Sequence, residues 1–374
     1  MTPTVLQVLP SLNQGGVERA TLDMAQALLE DNPNSPIYIA SAGGVYIKGL
    51  PDQVIHITLP LNCKNPLVMI SNALRLTMLI RKYDIQIVHA RSRAPAWSAL
   101  LACKLSGILG KSKGSFITTY HAAYRGKSRF KKLYNSVMAR GDAVITISDF
   151  MENHVKTRYP LAKTHLIREG IDEAFFMPQE DQRKDPQPLE KAILLPSRLS
   201  PTKGIFTALE AMKIITKNNP LVKLLLIRAG KESLMHEVDA YIEKNNLKKN
   251  VEFLPSSEDL RPYYDRASVI IVPSLVPEAF GRVAVEGMLM EKIVIATNIG
   301  ALTESIMDNK TGFLMPVGNP HTLAEKITYV LNLDDSEKIK ISKAARKHAL
   351  THFSLRVMKE KTIHLYKSIY EETV

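Results

Sequence analysis

"VIIVPSLVPEAFGRVAVEGMLME", residues 269–291, carries the pattern on which the fold turns. "VIIVPS" reads as a strand, and Pro277 and Gly281 keep the following segment out of helical conformation. "RVAVEGMLME" then repeats apolar residues at helical spacing and predicts a helix ending near Lys292. Strand, loop and helix in succession form the repeating unit of a parallel sheet covered by helices.

The same unit recurs along the chain. Before it come "TVLQVL" (4–9), "IYIA" (37–40), "QVIHI" (53–57), "IQIVHA" (85–90), "SFITTY" (115–120) and "AVITI" (143–147). Amphipathic stretches such as "VERATLDMAQALLE" and "APAWSALLACKLSGIL" lie between them. A second series runs through "AILLP" (192–196), "VKLLLI" (222–227), "VEFL" (251–254), "VIIV" (269–272) and "KIVIA" (292–296). "MPQEDQRKDPQPLEK" (177–191) has no periodic apolar pattern and is rich in Pro and charge, which marks a junction. The expected architecture is α/β, with two Rossmann-like doubly wound domains, 1–176 and 177–352, facing each other across a cleft. A terminal helix, 353–374, is expected to pack back on the first domain.

A chain of 374 residues, 45% hydrophobic, can bury two cores of this kind. Its formal charge of +12 favours anionic partners, whether nucleotide phosphates, acidic lipid or nucleic acid. Two cysteines without CxxC spacing argue against a disulfide framework or a structural zinc site and suit a cytoplasmic setting. No apolar run reaches the ~18 residues of a membrane span, and the start lacks the pattern of a signal peptide.

In doubly wound sheets, ligands bind beyond the carboxyl ends of the strands, where helix N-termini offer free N–H groups. After the first strand, Gly15 and Gly16 permit close backbone approach at the start of a helix, although their spacing is not the GxGxxG of a dinucleotide fold. After the first strand of the second half, Arg198 and Lys203 supply a guanidinium fork and a point charge suited to a diphosphate, with Gly204 opening the next helix. In the opening stretch, Glu278 lies at the helix entrance and Glu286 about five residues inside, ~7 Å further along. Carboxylates accept two hydroxyl hydrogen bonds in parallel, as a vicinal diol offers. The backbone N–H groups near Ala279, Phe280 and Gly281 are expected to face the charge between them.

At this level the chain resembles the retaining glycosyltransferase family 4 of the GT-B fold. The resemblance runs through "GGVER", "TTYHAAY", "SRLSPTKG", "PEAFGRVAVEGMLMEKIVIATNIGALTESI" with its E-x7-E spacing, and "TGFLMPVGNPHTLAEKI". It implies a hexosyltransferase-type enzyme that takes a UDP- or GDP-linked sugar and needs no metal. By the same resemblance Glu286 holds the ribose hydroxyls and Glu278 the donor sugar. Arg198 and Lys203 bind the diphosphate, Gly16 and its neighbours approach it, and His121 lies beside the anomeric centre. The acceptor hydroxyl is then expected to attack from the face the nucleotide leaves. One glycine in "LLIRAGKES" (225–233), where the family commonly has a pair, and Ala122, where glycine is frequent, depart from the pattern.

"YRGKSRFKKLYNSVMARG" (124–141) carries six basic residues and no acidic one, with Phe130, Leu133, Tyr134, Val137 and Met138 on one helical face. Lys127, Arg129, Lys131 and Lys132 are therefore candidates to meet an acceptor or an anionic membrane surface. The alternative is a helix packed on its own sheet with a solvated basic face. The reading is a cytoplasmic enzyme, peripheral on the inner face of the membrane, acting on a glycan or lipid-linked acceptor in cell-surface polysaccharide or lipopolysaccharide synthesis. A GT-B sugar-nucleotide epimerase and a basic nucleic-acid-binding protein are the alternatives. The chain shows no aromatic stacking motif or recognition helix for the latter, and no nucleic-acid partner is expected.

Overall fold

A computed structural model describes residues 2–13, 15–33, 35–109, 114–124, 126, 128–178 and 191–372. The chain divides into two compact units, Met1–Arg168 with Arg356–Val374, and Glu169–Leu355.

Unit 1 runs β1 (Val5–Val8), α1 (Gly16–Asp31), β2 (Ile37–Ser41), β3 (Val54–Thr58), α2 (Pro66–Lys82), β4 (Ile87–Ala90) and α3 (Arg93–Ile108). It continues through β5 (Ser115–Tyr120), α4 (Arg129–Ser136), β6 (Ala143–Thr146), α5 (Asp149–Arg158) and β7 (Thr164–Leu166). The strands form one parallel sheet in the order β3-β2-β1-β4-β5-β6-β7. β1, β4, β5 and β6 are buried at every position, as strands covered by helices on both faces must be.

Unit 2 runs β8 (Ala192–Leu199), α6 (Ile205–Ile215), β9 (Lys223–Gly230), α7 (Glu232–Lys244), β10 (Val251–Leu254), α8 (Arg261–Arg266), β11 (Val269–Val272) and α9 (Arg282–Leu289). β12 (Val294–Thr297), α10 (Leu302–Ser305), β13 (Phe313–Met315), α11 (Pro320–Asn332) and α12 (Asp335–His352) follow. Its sheet order is β10-β9-β8-β11-β12-β13. The core pairs strand residues such as Leu195, Leu226 and Ile271 with Leu209, Met212 and Ile327 of the helices. The segment 169–176 belongs to this unit: Ile171 bridges Ser354, and the Arg261 guanidinium lies 3.9 Å from the Phe175 ring centre.

The last helix, α13 (Leu355–Glu371), joins unit 1 from Arg356 onward. The Tyr366 hydroxyl lies 2.5 Å from Nδ1 of buried His89, and Lys367 pairs with Asp31 at 2.7 Å. β7 and β13 are absent from the strand pattern read in the sequence. Each is a three-residue edge strand with one neighbour, too short for any period to show.

The five apolar residues of 130–138 do not share one face, contrary to the sequence expectation. α4 stops at Ser136, and the tighter 3-10 turn Val137–Ala139 swings Val137 and Met138 into the core while Phe130 and Leu133 remain exposed.

In each sheet the strand order reverses beside the first strand, between β1 and β4 and between β8 and β11. The loops at the second reversal touch. Gly204 has φ 71, and a Cβ there would lie 1.9 Å from the Pro273 carbonyl oxygen. Leu275 N–H donates to the Thr202 carbonyl at 2.8 Å. Replacing Gly204 with Ala is expected to lower stability by about 1–3 kcal/mol, because the left-handed backbone and the clash act together. Gly16→Ala is the control, since no atom lies within 4 Å of the Cβ it would add. Urea denaturation of both variants decides the point, and an unchanged midpoint for Gly204→Ala would show that the loops yield.

Candidate functional site

Unit 2 gathers its chemistry where β8 and β11 end. Arg198 sits at a register irregularity of β8, between Leu195 and Leu199, and such bulges re-aim side chains at strand ends. Its side chain is exposed and makes no ion pair among the described residues. Lys203 closes the short 3-10 turn Pro201–Lys203, and its Nζ lies 2.8 Å from Glu278 Oε1. The Ser274 hydroxyl donates to the same carboxylate oxygen. The backbone of Glu278 is fixed by a bridge to Gly300 and by Ala301 N–H donating to its carbonyl at 3.0 Å. A cation, a carboxylate and a hydroxyl are thus held together at one strand end.

Gly281, with φ 84, turns the chain into α9, and Phe280 anchors the loop with its buried ring against Phe353. Ala279 precedes it at the N-terminal end of α9, where the Ala284 N–H already donates to the Gly281 carbonyl at 2.9 Å. Glu286 is 4% exposed inside α9. Its Oε1 accepts from Arg282 Nε and its Oε2 from the Tyr264 hydroxyl, both at 2.8 Å. Burial raises its pKa above the ordinary carboxylate value, with Arg282 and the Tyr264 bond opposing part of the rise. Two bonds leave acceptor capacity on a carboxylate that has about four lone-pair directions.

In unit 1, Gly15 is extended at φ 168 and starts α1, while Gly16 has open space where a side chain would project. His121 follows β5 directly, and its Nε2 is sealed from solvent with no hydrogen-bond partner among the described residues. Burial, reinforced by the nearby Arg91 charge, pushes its pKa down to about 3, so the ring is neutral in ordinary buffers. Arg91 is itself buried at the end of β4, with Nη2 3.3 Å from Gln7 Oε1, and Gln7 Nε2 donates to the Thr21 carbonyl. Arg129, Lys131 and Lys132 are exposed on α4, and Lys127 lies outside the described residues. Among the described residues no three His, Cys, Asp or Glu side chains cluster as a metal site would.

The structure adds Ser274, Tyr264, Arg282 and Arg91 to the residues singled out in the sequence. Only Arg282 left a trace there, four positions before Glu286 on one helix.

Two family models match consecutive parts of the chain: Glycosyltransferase Family 4 over residues 14–175 and Glycosyl transferases group 1 over residues 177–348. The crystal structure of a glycosyltransferase from Rickettsia africae ESF-5 is 32% identical, covers 99% of both chains and superposes with a TM-score of 0.85. HepE of Anabaena, solved with UDP and glucose, is 19% identical over 98% of this chain and 100% of its own, with a TM-score of 0.79. The capsular polysaccharide biosynthesis glycosyltransferase CapM of Staphylococcus aureus is 29% identical over 177 residues, 47% of this chain and 46% of CapM. With its two parallel sheets, the molecule is a GT-B glycosyltransferase. The chain belongs to glycosyltransferase family 4, the group 1 glycosyl transferases, and uses nucleotide sugars.

Glu286→Gln is expected to be at least as stable as the parent at pH 7. It removes a buried charge, keeps the partner for Tyr264, and frees Arg282, whose side chain is 43% exposed, to meet water. Because the folded-state pKa is raised, the folded parent holds the proton above pH 4.5, where the unfolded chain has released it. The parent therefore gains stability as pH falls through the raised value, and the difference between the two proteins should narrow there. Denaturation midpoints across pH 4.5–7.5 measure it.

Proposed function

We propose that the enzyme transfers a sugar, with retention of anomeric configuration, from a UDP- or GDP-sugar to a glycan or lipid-linked acceptor, in making a cell-surface polysaccharide or lipopolysaccharide. The observation that carries the reading is the Lys203–Glu278–Ser274 cluster at the reversal of the second sheet. A cation beside a carboxylate matches a donor whose phosphate end is anionic and whose sugar end offers hydroxyl donors.

In this reading Lys203 and Arg198 neutralise the diphosphate as it leaves, together with the N-terminus of α9 around Ala279, Phe280 and Gly281. Glu278 orients the hydroxyls of the donor sugar. Glu286 receives ribose hydroxyls with the acceptor capacity that Arg282 and Tyr264 leave open. In unit 1 the open face at Gly16, with Gly15 before it, admits a phosphate, and the neutral imidazole of His121 offers hydrogen bonding beside the anomeric carbon. The UDP-and-glucose complex of HepE supports UDP-sugars as the first donors to try, and the role of CapM supports a capsule-type glycan as acceptor.

Thermal shift against UDP-, GDP- and ADP-sugars tests the donor. A ligand at ~100 times its dissociation constant stabilises by ~2.7 kcal/mol, an easily measured rise. Glu286→Ala and Gly16→Ala are each expected to weaken donor binding at least about tenfold while the apo proteins stay folded, the first by losing a charge-assisted bond worth about 1.5–3 kcal/mol and the second by placing a methyl group where the phosphate approaches. Calorimetry decides it, and unchanged affinity in both variants would remove these residues from the donor site. Turnover is expected to survive excess EDTA, because the two cations do the work of a metal. Activity lost on chelation and restored by magnesium or manganese would overturn that part.

A further inference from the structure

Three consecutive helices of unit 1 carry an unusual surface. α2, α3 and α4 hold eight basic residues and no Asp or Glu: Arg75, Arg81, Lys82, Lys104, Arg129, Lys131 and Lys132 are exposed, and Arg93 is half-buried against Asn135. The same helices expose apolar side chains that the core does not use. On α2, Leu67, Ile70, Leu74 and Met78 recur at three and four residues, so they form one stripe along the outer face, and Leu67 is 76% exposed. α2 and α3 run side by side, with Ser98 Oγ donating to the Met69 carbonyl and Thr77 Oγ1 reaching that of Ala102. Leu101 shares a pocket wall with Ile70 of the stripe, and Ile108, seven residues further along α3, is exposed as well. α4 adds Phe130, 86% exposed, and Leu133.

The three helices meet around a pocket of about 480 Å³. Ile70, Trp97 and Leu101 are among its apolar walls, Phe130 and Leu133 stand at one side, and Lys64, Lys104 and Arg140 supply its charge. Among the described residues no carboxylate lines it.

We propose that the α2–α3–α4 face is a docking surface for an anionic phospholipid bilayer, with the apolar stripe and pocket taking acyl chains between a rim of lysines and arginines. Charge complementarity selects this occupant. Contiguous exposed apolar area on a folded chain marks an interaction surface. A protein partner with a plain apolar face would leave the one-signed rim unmatched. A bilayer with anionic headgroups satisfies both parts at once, because each Lys or Arg near it contributes about 1 kcal/mol and the buried side chains add their transfer free energy. The surface is wider than the single basic helix the sequence suggests. α4 is one wall, and α2 supplies four of the eight exposed apolar side chains.

The test is co-sedimentation of the full chain with vesicles of phosphatidylglycerol and of phosphatidylcholine. The parent is expected to pellet with the anionic vesicles and to leave the neutral ones, with binding that weakens as salt rises. A variant with Leu67, Ile70, Leu74 and Met78 all changed to Gln should lose at least about tenfold in partitioning. These side chains are exposed, so its circular dichroism and its thermal shift with sugar nucleotide should match those of the parent. Lys104→Gln combined with Arg129→Gln, Lys131→Gln and Lys132→Gln should abolish the preference for anionic over neutral vesicles. Failure of the parent to bind either vesicle, or full binding by the α2 variant, overturns the proposal. A parent that is dimeric by light scattering, does not bind vesicles, and becomes monomeric in the α2 variant overturns it in favour of a second copy of the chain.

Discussion

The contact of Gly204 with the carbonyl of Pro273 governs the chemistry of unit 2. Only a residue without a side chain lets the turn after β8 lie on the loop after β11, since a Cβ would fall 1.9 Å from the Pro273 oxygen. That approach brings Lys203, one residue before the glycine, to the loop that carries Ser274 and Glu278. The 2.8 Å pair follows from backbone packing, not from a search by two long side chains. Less side-chain entropy is then lost when the pair forms, and its geometry is ready before a ligand arrives.

Glu286 and His121 illustrate opposite uses of burial. Burial disfavours the charged form of both, raising the carboxyl and lowering the imidazole. Glu286 keeps two donors against its oxygens, which partly oppose the rise. His121 has the charge of Arg91 nearby, which drives it further toward neutrality. The result is a carboxylate already supported by hydrogen bonds, and a ring that can donate or accept without carrying charge.

Much of this was legible in the chain. "SFITTY", "VEFL" and "VIIV" are strands with the limits their patterns imply; "VIIV" is buried at every position, whereas "VEFL" is an edge strand half-buried at three of its four. Gly204 and Gly281 both take left-handed conformations at helix starts, as their positions between strand and helix suggest. The pairings were not legible. Lys203 and Glu278 are 75 residues apart, and Tyr264 reaches Glu286 across 22. Separations of that size have no local period. In 124–141 the pattern misled for a related reason: a helical wheel assumes 3.6 residues per turn, and the tighter turn at Val137–Ala139 rotates two of the five apolar residues inward.

The formal charge of +12 meant little as a total and more once it was placed. Spread evenly, it would suit any polyanion, nucleic acid included. Eight of the 49 basic residues instead lie on three adjacent helices that hold none of the 37 acidic ones. Those helices also leave Leu67, Met78 and Phe130 in water. A phosphate backbone rewards the cations but gives no reason to expose leucine beside them, because duplex and single strand alike are contacted through charge, polar edges and stacking rings. Exposed aliphatic side chains cost free energy in every state except one that buries them in apolar surroundings. The coincidence of both features on one face therefore separates a lipid surface from a nucleic acid, which the net charge by itself cannot do.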